Sequence, residues 1–223
     1  MLAPVGRNMC SPGLTPWATD MASLRDFRGV FLIPNSRHVM TFPELLTVRQ
    51  SVRAYQARLV EHDKLQKLIE AVRLAPSACN AQPWKLILVD DPELKDQVAR
   101  ATFSKLVSFN SFVPQAPVIA VLTIEKSKMI PQIGGKLKRR EFPLIDIGIA
   151  AAYFCLQAAE LELGTCILGW FNEKKIKKLL RIPRKTRIGL VITLGYAEEG
   201  YPLRKKIRKE AVVMSGFNGY YRK

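Results

Sequence analysis

Histidine is nearly missing from this chain: only His38 and His62 occur in 223 residues. A nucleophilic triad needs an imidazole held beside a serine or cysteine. His38 falls in a proline-rich opening and His62 at an expected exposed helix start, so histidine acid/base chemistry is not expected. Cysteine is also sparse. Cys10, Cys79, Cys155 and Cys166 show no CxxC spacing and no neighbouring histidine, which argues against a disulfide framework or a metal site and points to a reducing cytoplasm. No GxGxxG follows a strand and no GxxxxGK[ST] occurs, so the common dinucleotide and triphosphate loops are excluded, and Gly134-Gly135 reads as a turn. The longest strongly apolar stretch, 144–159, contains Asp146 and Gln157 and falls short of the roughly 20 residues that span a bilayer, so no membrane span is expected. Carboxylates are scattered, and pairing with lysines on helix surfaces explains them.

Positive charge is what the chain has in excess. Thirty-five Lys and Arg against 19 Asp and Glu leave a net +16, which draws anions by long-range attraction. Basic runs stand at 136–140, 174–178, 181–187 and 204–209, without the aromatic interleaving of a single-strand binder. Solvated helix and loop faces are the bland explanation of such runs. Nucleic-acid binding is a rival reading, disfavoured because no helix-turn-helix, OB or RRM signature accompanies the charge.

Residues 1–39 carry Pro4, Pro12, Pro16 and Pro34 without an apolar signal segment and are expected to form a poorly ordered extension; Asp20 and Asp26 argue against a transit peptide. Periodic structure begins at Met40, giving one folded domain over 40–223. In 60–77 the spacing of Leu65, Leu68, Ile69, Val72 and Ala75 predicts an amphipathic helix stopped by Pro76. A strand is expected at 84–91, a helix from the Asp91-Pro92 cap through about Leu106, and a strand at 116–124. Residues 144–163 are apolar nearly all round, with Gly164 placed for a C-terminal cap. Such a helix must be buried on most sides, in a core or across a subunit interface. Asn172 should cap a short basic helix ended by Pro183, and 186–196 reads as a strand rich in β-branched residues.

With side-chain catalysts scarce, a bound cofactor could carry the chemistry while the protein binds and orients it. In "TVRQSVRAYQ", Arg49, Arg53 and the Ser51 hydroxyl could make a forked donor set for a phosphate; the bland alternative is an arginine pair on one helix face. In "LAPSACNAQPWKLILV" a loop carrying Pro76, Ser77, Asn80 and Gln82 lies between helix and strand, and its amides could meet the edge of a heteroaromatic ring.

Four segments in order, "RQSVRAY", "APSACNAQPWKLILV", "ELGTCILGWFNE" and "LRKKIRKEAVV", resemble the FMN-dependent nitroreductase family over roughly residues 40–223. The resemblance implies an α+β fold, a central, mostly antiparallel sheet flanked by helices, in an intertwined homodimer with FMN at the interface. It implies hydride transfer from NADH or NADPH through flavin N5 to a nitroaromatic, quinone or similar small-molecule acceptor, with no catalytic side chain. By position, Arg49, Gln50, Ser51 and Arg53 match the family's phosphate- and ring-contacting segment, Arg53 lying toward the N1 and O2 edge. Pro76, Ser77, Asn80 and Gln82 match a loop that approaches the flavin from the partner subunit. Leu168, Gly169 and Trp170 match the segment over the other flavin face, and Lys206 and Arg208 a basic pair that adds to phosphate binding. The chain departs from the family at Gln50 and in the basic insert 126–142, where lids are built. Same-fold flavoproteins that dehalogenate tyrosines or break down flavin are the alternative chemistry.

Overall fold

The computed structural model describes residues 40–104, 108–126 and 141–220. The basic run 136–140, Gly134-Gly135 and the N-terminal extension lie outside them. At the centre stands "VIAVLTI", a strand apolar on both faces, which requires cover on both. This strand, β2 (Val118–Ile124), pairs antiparallel with β1 (Trp84–Val89) on one side and β4 (Arg187–Gly195) on the other. Strand β3 (Gly164–Leu168) pairs antiparallel with β4, giving the order β1-β2-β4-β3.

Alternation along the strands sorts the core into two layers. Val118, Ala120 and Leu122 of β2, with Ile192 and Leu194 of β4, pack against α2 (His62–Arg73) and α4 (Phe142–Glu160). Ile119, Val121 and Val191 face the opposite way, onto α3 (Pro92–Ala99) and α5 (Glu173–Leu179) through Val98, Ala99 and Ile176. Fully buried Phe154 of α4 contributes roughly 1.5–3 kcal/mol by leaving water. Two further helices, α1 (Phe42–Val48) and the short α6 (Ala211–Met214), bury none of their residues within this chain. The fold is α+β, as the family resemblance implies.

Local chemistry sets the helix starts. Asp91 Oδ1 accepts from Leu94 N–H at 2.8 Å with Pro92 in the first turn, and Asn172 Oδ1 accepts from Lys175 N–H at 3.0 Å. Helix α3 stops at Ala99, short of the expected Leu106. There the chain turns, Ala101 N–H donating to Val98 O and the Thr102 hydroxyl to Ala99 O. Gly164 is not a helix cap. Glu162 takes the left-handed conformation at φ 63°, and Gly164 opens β3, where a Cβ would come within 2.7 Å of Val52 Cγ2.

Helix α4 is less enclosed than its composition predicts. Ile147, Ala150, Ala151, Phe154 and Ala158 are buried, but Ile145 is 55% exposed, Tyr153 40%, and Gly148 and Ala152 lie on the same open side. At 19 residues it meets, by length and composition alone, the requirement for crossing a membrane. Its buried side packs on α2 and the sheet, and Asp146, 3% exposed, accepts from Ala78 N–H at 3.1 Å, which are the contacts of a core helix.

Candidate functional site

The chain leaves α1 at Val48, so Arg49 and Arg53 do not share a helix face. Residues 49–55 run extended: Ser51 bridges Thr165 of β3 in parallel, and Tyr55 bridges Ala197. Val52 and Tyr55 point inward; the Tyr55 hydroxyl donates to Val52 O at 2.8 Å and pairs with Thr193 Oγ1 at 2.6 Å. Burial pushes the Tyr55 phenol far above its ordinary range, so it stays neutral and acts as a strut. Val52 and Tyr55, three apart, are both buried, so the segment does not alternate strictly; Arg49 and Ser51 are half-buried and Arg53 is exposed.

A second segment locks onto this one. Gln50 Nε2 donates to Pro202 O at 3.1 Å and its Oε1 accepts from Arg204 N–H at 3.0 Å, so both ends of the amide hold backbone. Arg53 N–H donates to the Tyr201 hydroxyl at 3.1 Å, and the Arg204 guanidinium donates to the same oxygen at 3.2 Å. Lys206 Nζ donates to Thr47 O. Partial desolvation, then the like charges of Arg49 and Arg208, lower the Lys206 pKa. Arg49, Lys206 and Arg208 are therefore gathered cations, and none pairs with a carboxylate among the described residues. A cavity of about 170 Å³ lies beside Arg49, Gln50, Gly164 and Thr165.

Two thiols back this region. Burial raises the pKa of Cys155 and Cys166; Arg49 acts against the first shift and Arg53 against the second, which puts each guanidinium near a different buried sulfur. Both thiols are neutral at ordinary pH and unsuited to nucleophilic work.

The loop 76–82 is built differently. Cys79, Asn80 and Gln82 all have positive φ (52°, 51° and 44°), a costly set for non-glycine residues. Side chains hold it: Ser77 Oγ accepts from Gln82 N–H at 2.9 Å, and Gln82 Nε2 donates to Asn80 Oδ1 at 3.0 Å. Pro76, Asn80 and Gln82 are exposed. Asp146 ties the loop to the start of α4, whereas the cavity beside Arg49 reaches Ala159 near that helix's end. Thirteen residues at 1.5 Å each separate these points by about 20 Å, so one chain does not bring the two segments together.

At the end of β3, Leu168 is buried, Trp170 is 60% exposed, and a Cβ at Gly169 would meet nothing within 4 Å. Asn110, buried, donates from Nδ2 to Trp170 O at 3.1 Å and to Thr102 O at 3.0 Å, fixing this turn to the segment after α3.

The family model of the nitroreductase family matches residues 46–196. The chain belongs to the nitroreductase family. It is 28% identical over 181 residues to an NADH dehydrogenase of Thermus thermophilus, covering 69% of this chain and 86% of that one. It is also 28% identical to the FMN reductase [NAD(P)H] of Bacillus subtilis, covering 75% and 70%. The solved structure of an FMN-dependent nitroreductase from Clostridium difficile superposes with a TM-score of 0.63 at 28% identity, covering 79% of this chain and 98% of that one. As a nitroreductase-family member the protein is an oxidoreductase. The matched range takes in Arg49–Arg53, Pro76–Gln82 and Leu168–Trp170 and stops before Lys206 and Arg208. Thr165, Tyr201, Arg204 and Asn110 are not legible in the sequence because each has a partner 50 or more residues away: Ser51, Arg53, Gln50 and Trp170 respectively. Only the basic run at 204–209 hinted at Arg204.

Proposed function

We propose that this nitroreductase-family protein is an FMN-dependent oxidoreductase that takes hydride from NADH or NADPH and delivers it to a nitroaromatic, quinone or similar acceptor by ping-pong, as a cytoplasmic homodimer. Residues 40–223 form its catalytic unit. The observation that carries this reading is the gathering of Arg49, Lys206 and Arg208, none of which forms a salt bridge among the described residues. Such a donor set fits a phosphate monoester, which accepts charge-assisted hydrogen bonds from several sides.

In this reading Arg49, Ser51, Lys206 and Arg208 hold the phosphate end, and Arg53 places positive charge at the N1 and O2 edge of the ring. Gln50 serves by clamping residues 202–204 so that Lys206 stays within reach of Thr47. Leu168, Gly169 and Trp170 line one ring face, where an absent Cβ leaves room for close approach. When bound, FMN would supply a ring that accepts and returns hydride at N5. No acid/base side chain is needed for that step.

Dimerisation is supported by two features of the single chain. The open side of α4, with Ile145, Gly148, Ala152 and Tyr153, is an apolar stripe of the kind that marks an interface. The separation of about 20 Å between the Arg49 region and loop 76–82 disappears if each site takes Pro76, Ser77, Asn80 and Gln82 from the partner copy.

The test is anaerobic. Purified protein loaded with FMN should show a flavin visible spectrum that bleaches with NADH or NADPH and recovers on adding a nitroaromatic. A colourless protein that fails to take up added FMN sinks the proposal. Bleaching without recovery would favour a different acceptor chemistry, such as dehalogenation.

A further inference from the structure

Beyond the cation cluster, a larger cavity of about 380 Å³ opens between the end of α3 and the connection from β3 to α5. Its walls include Arg100 and Lys175, three aromatic rings (Phe103, Trp170 and Phe171) and Asn172. Arg100 and Lys175 are exposed, and neither pairs with a carboxylate among the described residues. The backbone beneath is fixed. Asn172 N–H donates to Ala101 O at 2.7 Å, and buried Asn110 grips the carbonyls of Thr102 and Trp170. The hollow is thus framed by hydrogen bonds that leave Arg100, Lys175 and the 60% exposed Trp170 ring open to a ligand, with half-buried Phe103 and Phe171 as further walls.

We propose that this cavity binds the 2′-phosphorylated adenosine of NADPH and makes the enzyme select NADPH over NADH. The inference rests on the reading of the protein as an NAD(P)H oxidoreductase. Flat aromatic walls suit a purine, which stacks on any π-face. Two unpaired cations suit a dianion, and a phosphate monoester carries about −1.5 to −2 at pH 7. A carboxylate on an aromatic acceptor would use only one of them. NADH offers a neutral hydroxyl where NADPH offers the phosphate, so it would leave both cations without a counter-charge. The location also fits: Trp170 is shared between this cavity and the segment proposed for the ring face. A donor whose nicotinamide reaches the flavin past Trp170 can lay its far end here.

Two measurements test the proposal, one of them independent of turnover. Calorimetry with adenosine 2′-monophosphate should show binding to the wild-type protein that the double variant Arg100→Ala/Lys175→Ala weakens at least about tenfold, the size of one or two lost charge-assisted bonds. In steady-state assays of the FMN-loaded dimer, the same variant should lower kcat/KM for NADPH by about 10- to 100-fold through KM, with NADH changed less than about twofold. Equal losses with both donors, a wild-type enzyme indifferent between them, or undiminished nucleotide binding by the variant each overturn it. A selective rise in the KM of a carboxylated nitroaromatic would also overturn it, by assigning the cavity to the acceptor. Because the calorimetric arm needs no flavin, failure to load FMN counts against the proposed function and leaves that arm to decide this inference.

Discussion

Residues 49–55 and residues 76–82 were matched to one site, yet they are opposite in kind. The first segment is extended, unstrained and rich in cations, and its partners are distant: Thr165, Ala197, Tyr201 and Arg204. The second has no charged residue, holds three left-handed non-glycine residues, and is tied together mostly by its own side chains. The first is suited to recognising charge, the second to presenting a fixed backbone shape. Charge recognition depends on contacts across the fold; the backbone shape depends on local bonds and the single tether to Asp146. Their placement near opposite ends of α4 makes the join between two copies, rather than either segment, the weakest part of the proposed site.

Breaking that join should have the largest effect. Ile145→Lys puts a charge on the open side of α4, where 55% exposure lets a single chain accommodate it. The expected outcome is a folded monomer that binds no FMN, seen by sedimentation together with the visible spectrum. A variant that stays dimeric and yellow would show that the stripe is not the interface. The next effect isolates the charged half. Arg49→Ala or Lys206→Ala removes a charge-assisted bond of about 1.5–3 kcal/mol, a 10- to 100-fold loss of FMN affinity, with dimerisation unchanged. Fluorescence titration of the apoprotein with FMN measures it; unchanged affinity in both variants would remove the cation cluster from the site.

How much of this was legible in the sequence follows the range of each interaction. The Asp91 and Asn172 caps act over three residues, and both were readable and formed. The 60–77 helix and the 84–91 strand were readable from period alone. Gly164 was misread because its need is a close approach to Val52, more than 100 residues earlier, which no local pattern encodes. Arg49 and Arg53 stood out in the sequence as cations, but their arrangement depends on Ser51 meeting β3, a pairing between distant segments. The three positive φ values of loop 76–82 could not be foreseen, since cysteine, asparagine and glutamine there carry no glycine signal.

The shape-presenting half can be probed through its tether. Asp146→Ala leaves Ala78 N–H without its acceptor, at about 1–3 kcal/mol if the group stays buried, whereas Asp146→Asn retains an oxygen at that place. Hydrogen exchange at Ala78 should accelerate in the alanine variant and recover in the asparagine one. FMN affinity of the dimer should fall by less than it does in Arg49→Ala. Equal exchange in all three proteins would show that the loop holds its left-handed residues without help from α4.

Acid should act on the other half, and only weakly. Glu61 accepts from the Tyr196 hydroxyl at 2.6 Å and from Arg58 at 2.7 Å, while Tyr196 O accepts from Gln56 N–H at the end of the extended segment. These bonds, led by that of Tyr196, lower the Glu61 pKa to about 2. A carboxylate with a depressed folded-state pKa stabilises the fold above its unfolded value, near 4.3, and loses that contribution as the pH falls through the folded value. Stability should therefore decline between about pH 5 and pH 2, and part of that decline should vanish in Glu61→Gln. Because Glu61 is well exposed, solvent screening keeps the contribution small. Thermal melts of both proteins across that range measure it, and parallel curves would show that the Glu61 cluster does not support residues 49–56.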